Sequence, residues 1–215
     1  MSGPSPAPAG GRRPPAPGLG ILLVAPPGAG KGTQGERIAA HYRLARLSTG
    51  ELLRAEVAAG TELGRSVVHH LARGDLAPTE LVLAVLQPLW AEASRRGGYV
   101  LDGFPRSVAQ AQLAERLIEE EHLVPILAAV HLVVSEPELR RRLEHRAAIE
   151  GRADDLARAS SHRLEVYEAE TRPLLAYYAD RGLEVEIDGE RPADTVTAEI
   201  IAAVDERVAA AARPR

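Results

Sequence analysis

Residues 19–34 read LGILLVAPPGAGKGTQ, and the three parts of this stretch decide the fold. Leu19 to Ala25 is a short, unbroken apolar run, the pattern of a strand buried on both faces. Pro26 to Gly30 is a Gly-rich turn, and a helical pattern follows from about Gly32 to Tyr42. Strand, Gly-rich turn and helix in that order form an anion-binding loop. The glycines let the backbone curl until successive N–H groups converge. The helix adds the positive end of its dipole. Lys31 supplies a slim, mobile ammonium that can follow a phosphate, whereas a guanidinium is bulkier and prefers a fixed fork. The chain has 25 Arg but only this one Lys. The fixed letters of PGxGKGT arise by chance on the order of once in a hundred thousand chains of this length. A Gly-rich turn without a ligand is therefore the weaker reading. One position departs from the usual pattern, which opens with Gly where this chain has Ala25. A methyl group there could shift the loop or weaken its hold on an anion.

Outward from the loop, short apolar runs alternate with helical patterns. Strands are expected at Leu44 to Ser48, Tyr99 to Asp102, Leu127 to Val134 and Leu183 to Ile187. Helices are expected at about 50–59, 62–73, 79–96, 107–121, 136–146, 154–181 and 192–211. Pro88 should kink or break the third of these. Strands alternating with helices predict an α/β fold with a five-stranded parallel sheet flanked by helices. No internal repeat is present.

Residues 1–18 hold six of the 16 prolines, four of the 19 glycines and almost no aliphatic side chains. Such a segment buries too little apolar surface to offset its ordering entropy, so it reads as a disordered tail. No apolar stretch lies next to Arg12 and Arg13, which excludes a secretory signal. The net charge is −4, and the tail carries +2, so the remainder carries −6. That balance argues against a general nucleic-acid binder, and the scarcity of aromatics (one Phe, one Trp, five Tyr) against a base-stacking platform. No apolar run approaches the ~20 residues of a membrane helix. With no Cys there is no disulfide, no thiolate zinc site and no Cys nucleophile. The seven His show no metal-ligand spacing and read as surface or packing residues.

PGAGKGTQ, with Gly after the Lys, resembles the adenylate kinase family more than P-loop proteins at large. Further motifs extend the resemblance over about 19–190. Ser48-Thr49-Gly50-Glu51-Leu52-Leu53-Arg54 resembles the family's STG…LLR segment. Leu101-Asp102-Gly103-Phe104-Pro105-Arg106 resembles its LDGFPR, with Gln110 at the matching spacing. Gly151-Arg152-Ala153-Asp154-Asp155 resembles its GRxDD, and Arg163 follows eleven residues after Arg152. Tyr167 and Thr171-Arg172-Pro173-Leu174 resemble the segment beyond.

The resemblance implies an Mg²⁺-dependent transfer of the ATP γ-phosphoryl group to AMP, giving two ADP. The acceptor is a phosphate oxygen that is already anionic, so no general base is required. Alignment and charge neutralisation then supply catalysis. Gly28, Ala29, Gly30, Lys31, Gly32 and Thr33 would bind ATP. Arg142 and Arg146 share one helix face and match the pair beside the ATP phosphates, although a solvated charged face is a fair alternative for Arg142. Thr49, Arg54, Leu76, Ala77, Gly103, Arg106, Gln110, Arg152 and Arg163 would bind AMP. Lys31, Arg106, Arg142, Arg152 and Arg163 are the catalytic set. Asp102 would hold Mg²⁺ through water, with Thr33 contributing through water or phosphate; Asp102 could instead cap the next turn. Asp154 and Asp155 would cap the following helix. Arg140, Arg141 and Arg158 read as bystanders.

Thr49 and Gln110 favour AMP as acceptor. The UMP/CMP kinases carry Ala in place of Thr, and an amide can bond a base's donor and acceptor together. The family often has Lys or Glu at Asp75 and Val at Ala77, and the smaller Ala77 could loosen packing around the acceptor base. Only five residues, Ala147 to Gly151, separate Arg146 from Arg152, so the lid is of the short class and a zinc-bearing lid does not fit. The expected organisation is one domain over 19–215. Its core is 19–48, 78–144 and 157–212, with AMP-binding helices at 49–77 and a lid at 145–156. Those helices and the lid are expected to move, since closure keeps water from the reacting phosphoryl. The enzyme is expected to be a cytoplasmic monomer. Two other readings stand beside this one: a kinase for UMP, CMP or another nucleoside monophosphate, and a nucleotide-binding protein without transferase activity.

Overall fold

The computed structural model describes residues 18–150 and 157–213. Five strands form one parallel sheet in the order β2-β3-β1-β4-β5. They are β1 (Leu19–Val24), β2 (Ala45–Ser48), β3 (Gly98–Asp102), β4 (Ile126–Val133) and β5 (Glu184–Asp188). The helices are α1 (Lys31–Tyr42), α2 (Thr49–Ala58), α3 (Glu62–Arg73), α4 (Thr79–Arg95), α5 (Val108–Glu120), α6 (Glu136–Glu150), α7 (Ala157–Val166), α8 (Pro173–Ala179) and α9 (Ala193–Ala211). The expected α/β architecture is thus present.

β1 lies between β3 and β4, and all six of its residues are buried. Its side chains alternate between two cores, which is why its sequence shows no polar alternation. Leu22 and Val24 join Leu47, Leu86, Trp90, Leu101, Phe104 and Tyr178 on one face. Ile21 and Leu23 join Ile38, Val130, Leu139 and Ile200 on the other. The only Trp and the only Phe meet in the first core. The Trp90 ring stands edge-on to Tyr99 at 5.6 Å and to Phe104 at 6.2 Å. Such pairings add to the area these rings bury.

Local signals account for several boundaries. Thr61 caps α3 by accepting a hydrogen bond from the Gly64 N–H at 2.9 Å, and Gly74 ends it with φ 82°. Three expectations need correction. Pro88 does not break α4, which runs unbroken from 79 to 95. Ala84, whose carbonyl loses its partner at Pro88, lies on the same exposed face as Pro88, so water can satisfy it. Meanwhile Leu86 and Trp90 on the opposite face are fully buried. α6 continues past residue 146 to Glu150. The single long helix expected over 154–181 is instead α7, a π-helical segment at Tyr167–Thr171 and α8. In that segment the Arg172 N–H reaches back to the Tyr167 carbonyl at 2.8 Å. Pro173, which has no N–H to donate, then opens α8. Arg152, Asp154, Asp155, the tail to residue 17 and lid residues 151–156 lie outside the described residues.

Candidate active site

Parallel register brings the chemistry to one end of the sheet. Leu23 of β1 pairs with Asp102 of β3, and Ser48 of β2 pairs with the same Asp102. The carboxyl ends of three strands therefore open onto a common cleft, where doubly wound sheets bind ligands. Its cavity volume is about 580 Å³.

The Gly-rich turn forms the floor. Gly28 and Gly30 have φ of 87° and 95°, conformations that favour glycine. At Gly28 space is limiting as well: a Cβ would lie 3.0 Å from Leu143 Cγ and 3.1 Å from the Leu139 carbonyl of α6. Among the described residues no side chain caps α1, and no acidic residue occupies its first turn, so its first N–H groups and the positive end of its dipole are open to an anionic ligand. Ala25 is buried and has no positive φ, so its methyl group is accommodated without backbone strain. The Lys31 ammonium donates to the Ala25 and Pro26 carbonyls at 2.6 and 3.0 Å, which leaves one donor for a ligand. Its pKa is pushed down to about 8. Desolvation is the main cause; Asp102 opposes it, while Arg106, Arg163 and Arg146 reinforce it.

Among the described residues, eight cationic and three anionic side chains line the cleft, in a chain whose net charge is −4. Such a wall concentrates polyanions. Arg54, Arg106, Arg142, Arg146 and Arg163 all reach it, as do Gly28, Ala29, Gly30, Gly32, Thr33, Leu76, Asp102 and Gly103. Arg106 Nε donates to the Gly103 carbonyl at 2.8 Å. Gly103 has φ 89°, and a Cβ there would come within 2.5 Å of Thr49 Oγ1. Arg142 is tethered, with Nε on Glu138 at 2.7 Å and a terminal nitrogen on the Gly189 carbonyl at 3.0 Å. Arg141 and Arg142 together hold the Glu138 carboxyl down to about 2. Arg140 and Arg141 pair with Glu136 and Glu138 of their own helix.

Thr49, Ala77 and Gln110 do not line the cleft; all three are buried beside it. The Gln110 side-chain carbonyl accepts from the Arg106 backbone N–H at 2.8 Å, and its amide nitrogen donates to Thr79 Oγ1 at 3.1 Å. Its amide thereby braces the turn that carries Arg106. Phe104-Pro105 is cis.

Some groups at the cleft were not anticipated. Arg46, Ser48, Glu51 and Arg191 line it. Strand alternation was a usable signal for Arg46, which lies two residues before Ser48 in β2 and so shares its face. No sequence signal marks the junction between α3 and α7. There a Cβ on Gly74 would come within 2.5 Å of Arg163 Cγ, and His162 Nε2 lies 2.6 Å from Asp75 Oδ1. Asp75 raises the His162 pKa. His131 also has carboxylate neighbours: its Nδ1 is 3.6 Å from Glu184 and 3.9 Å from Glu186, on the paired strands β4 and β5.

Comparison with known proteins agrees with this geometry. The family model for adenylate kinase matches residues 23–183. An adenylate kinase of Thermobifida fusca is 41% identical over 187 residues, covering 87% of this chain and 98% of that one. One of Nitrobacter hamburgensis is 40% identical over 196 residues, covering 88% and 94%. One of Thermus thermophilus is 43% identical over 187 residues, covering 87% and 97%. No helix among the described residues is long and apolar enough to cross a membrane. A phosphate-binding loop at the head of a parallel sheet, an arginine-rich cleft around it and likeness over nearly the whole length agree: the chain belongs to the adenylate kinase family.

Proposed function

We propose that the chain transfers the γ-phosphoryl group of ATP to AMP, reversibly and in line, giving two ADP. The observation that carries this reading is the convergence of Lys31, Arg54, Arg106, Arg142, Arg146 and Arg163 on one cleft around the phosphate-binding loop. Phosphoryl transfer spreads negative charge over the equatorial oxygens, and fixed cations matched to that charge lower the barrier. The loop N–H groups and Lys31 hold the ATP phosphates, with Arg142 and Arg146 beside them. Arg54 and Arg106 grip the acceptor phosphate. Arg163 faces the transferring group, and Arg152 joins it on the strength of its motif. No proton need be removed, since the attacking oxygen is already anionic.

Asp102 and the Thr33 hydroxyl are hard oxygen donors of the kind Mg²⁺ takes. The Asp102 carboxylate, 11% exposed at the cleft floor, fits a metal held through water. When bound, Mg²⁺ neutralises charge on the phosphate oxygens.

The adenylate acceptor rests on the motif positions Thr49 and Gln110; Thr49 lies directly behind Gly103, and Gln110 braces the neighbouring Arg106. Residues 49–77 serve as the acceptor-binding helices, 145–156 as the short lid and the remainder of 19–212 as the core. We take the enzyme to work as a cytoplasmic monomer. The test is ADP formation from ATP with AMP, UMP, CMP or GMP as acceptor. AMP is expected to give the highest kcat/KM. A strong pyrimidine preference would overturn the acceptor assignment, and nucleotide binding without turnover would overturn transfer itself.

A further inference from the structure

The cleft holds a cation that the transfer chemistry leaves unused. The Arg46 side chain is 13% exposed and packs against two glycines of α1. A Cβ on Gly35 would sit 3.0 Å from its Nε, and one on Gly32 would sit 3.6 Å from its NH2 nitrogen. There the guanidinium forks onto Glu51, with bonds of 2.9 and 2.6 Å. The nitrogen making the shorter bond also lies 3.5 Å from Asp102 Oδ2. The other lies 3.6 Å from Glu36. Nε is buried and has no hydrogen-bond partner among the described residues. One guanidinium thus serves the carboxylates of Glu51 and Asp102, which line the cleft beside the phosphate-binding loop.

A bidentate guanidinium–carboxylate pair is directional and strong, and Arg keeps its charge at any accessible pH. A divalent cation approaching Asp102 therefore meets a fixed positive charge already engaged there, with little water between to screen it. We propose that Arg46 is an internal counter-cation that sets the metal affinity of this cleft, competing with the divalent ion for the carboxylates of Asp102 and Glu51. The proposal rests on the reading of Asp102 as the metal's anchor. Arg46 is a positioning residue here: it holds two carboxylates aimed before metal arrives, and it weakens the metal's hold on them afterwards.

The experiment titrates Mn²⁺ into the full-length, nucleotide-free protein and follows free Mn²⁺ by electron paramagnetic resonance. Arg46→Gln is expected to bind Mn²⁺ at least fivefold more tightly than the wild type. Arg46→Lys, which keeps a charge but loses the fork, should fall between them. Adding Asp102→Asn to Arg46→Gln should abolish the gain. In the unmodified protein, the Arg46 Nε–H resonance should shift as Mg²⁺ is added, a readout that needs no variant to fold. Equal Mn²⁺ affinities in the wild type and a folded Arg46→Gln protein would overturn the proposal. So would a gain that survives Asp102→Asn, or an Arg46 resonance insensitive to Mg²⁺. None of these readouts needs turnover, so a failed AMP assay would defeat the functional reading separately.

Discussion

Lys31 offers the sharpest test, because it is the only lysine in the chain and its ammonium is pushed down to about 8 from the ordinary 10.5. At pH 8 about half of such a group is the free amine, against roughly 0.3% at the ordinary value, a difference of about 150-fold in the reactive form. An amine-selective reagent should therefore modify Lys31 with a pH midpoint near 8, competing only with the chain's N-terminus. ATP should suppress the reaction in two ways: by covering the amine, and by bringing phosphate charge that favours the ammonium form and raises the pKa. The assay is trace labelling between pH 6 and 10, with and without ATP, followed by mass spectrometry of the Lys31 peptide. A midpoint near 10.5 in the nucleotide-free protein would refute the electrostatic argument. Labelling unchanged by ATP would refute the placement of phosphate. The linked stability effect has a definite sign. The folded pKa lies below the unfolded one, so the unfolded chain binds more protons between about 8 and 10.5. This group's contribution should therefore make the nucleotide-free protein more stable as pH rises through that window, and thermal melting can follow it.

Other substitutions probe the same frame. Gly28→Ala places a methyl group 3.0 Å from Leu143 at a φ of 87°; it should cost about 1–3 kcal/mol by denaturant unfolding and weaken ATP binding measured by calorimetry. Ala25→Gly should change ATP affinity by less than tenfold, because the loop accommodates the methyl without positive φ; a larger gain would mark Ala25 as a defect. His162 has its pKa raised by Asp75, so this contact contributes fully below about pH 6.5 and fades as pH rises through the higher folded value. Melting curves of wild type and His162→Gln should converge at high pH, and a constant gap across pH 5–9 would contradict this.

The chain order of strands, loop and helices was legible because each signal is local. The apolar run of β1 and the Gly-rich turn act within a few residues. What escaped depends on packing. Pro88 has a poor helix propensity, but buried Leu86 and Trp90 hold α4 through it. The π-helical segment depends on where Tyr167 and Thr171 are buried, which no local pattern reveals. At the site, motif spacing pointed to Lys31, Arg54, Arg106 and Arg163, and all four line the cleft. Arg46 with Asp102, His162 with Asp75 and His131 with Glu184 meet through strand register or helix docking. Their partners lie more than fifty residues away, so no motif joins them. The resemblance suggested a base-reading role for Gln110; the structure adds its bonds to Arg106 and Thr79.

Trp90 gives the molecule a built-in optical gauge. It is the sole indole in the chain, fully shielded from solvent, and its nearest aromatic companions include Phe104, two residues from Asp102 and two from Arg106. A backbone rearrangement of the turn that bears those two residues would shift the Phe104 ring against the indole. Emission from a single fluorophore then follows the acceptor side of the cleft without an attached dye, and a stopped-flow trace can time that rearrangement against turnover.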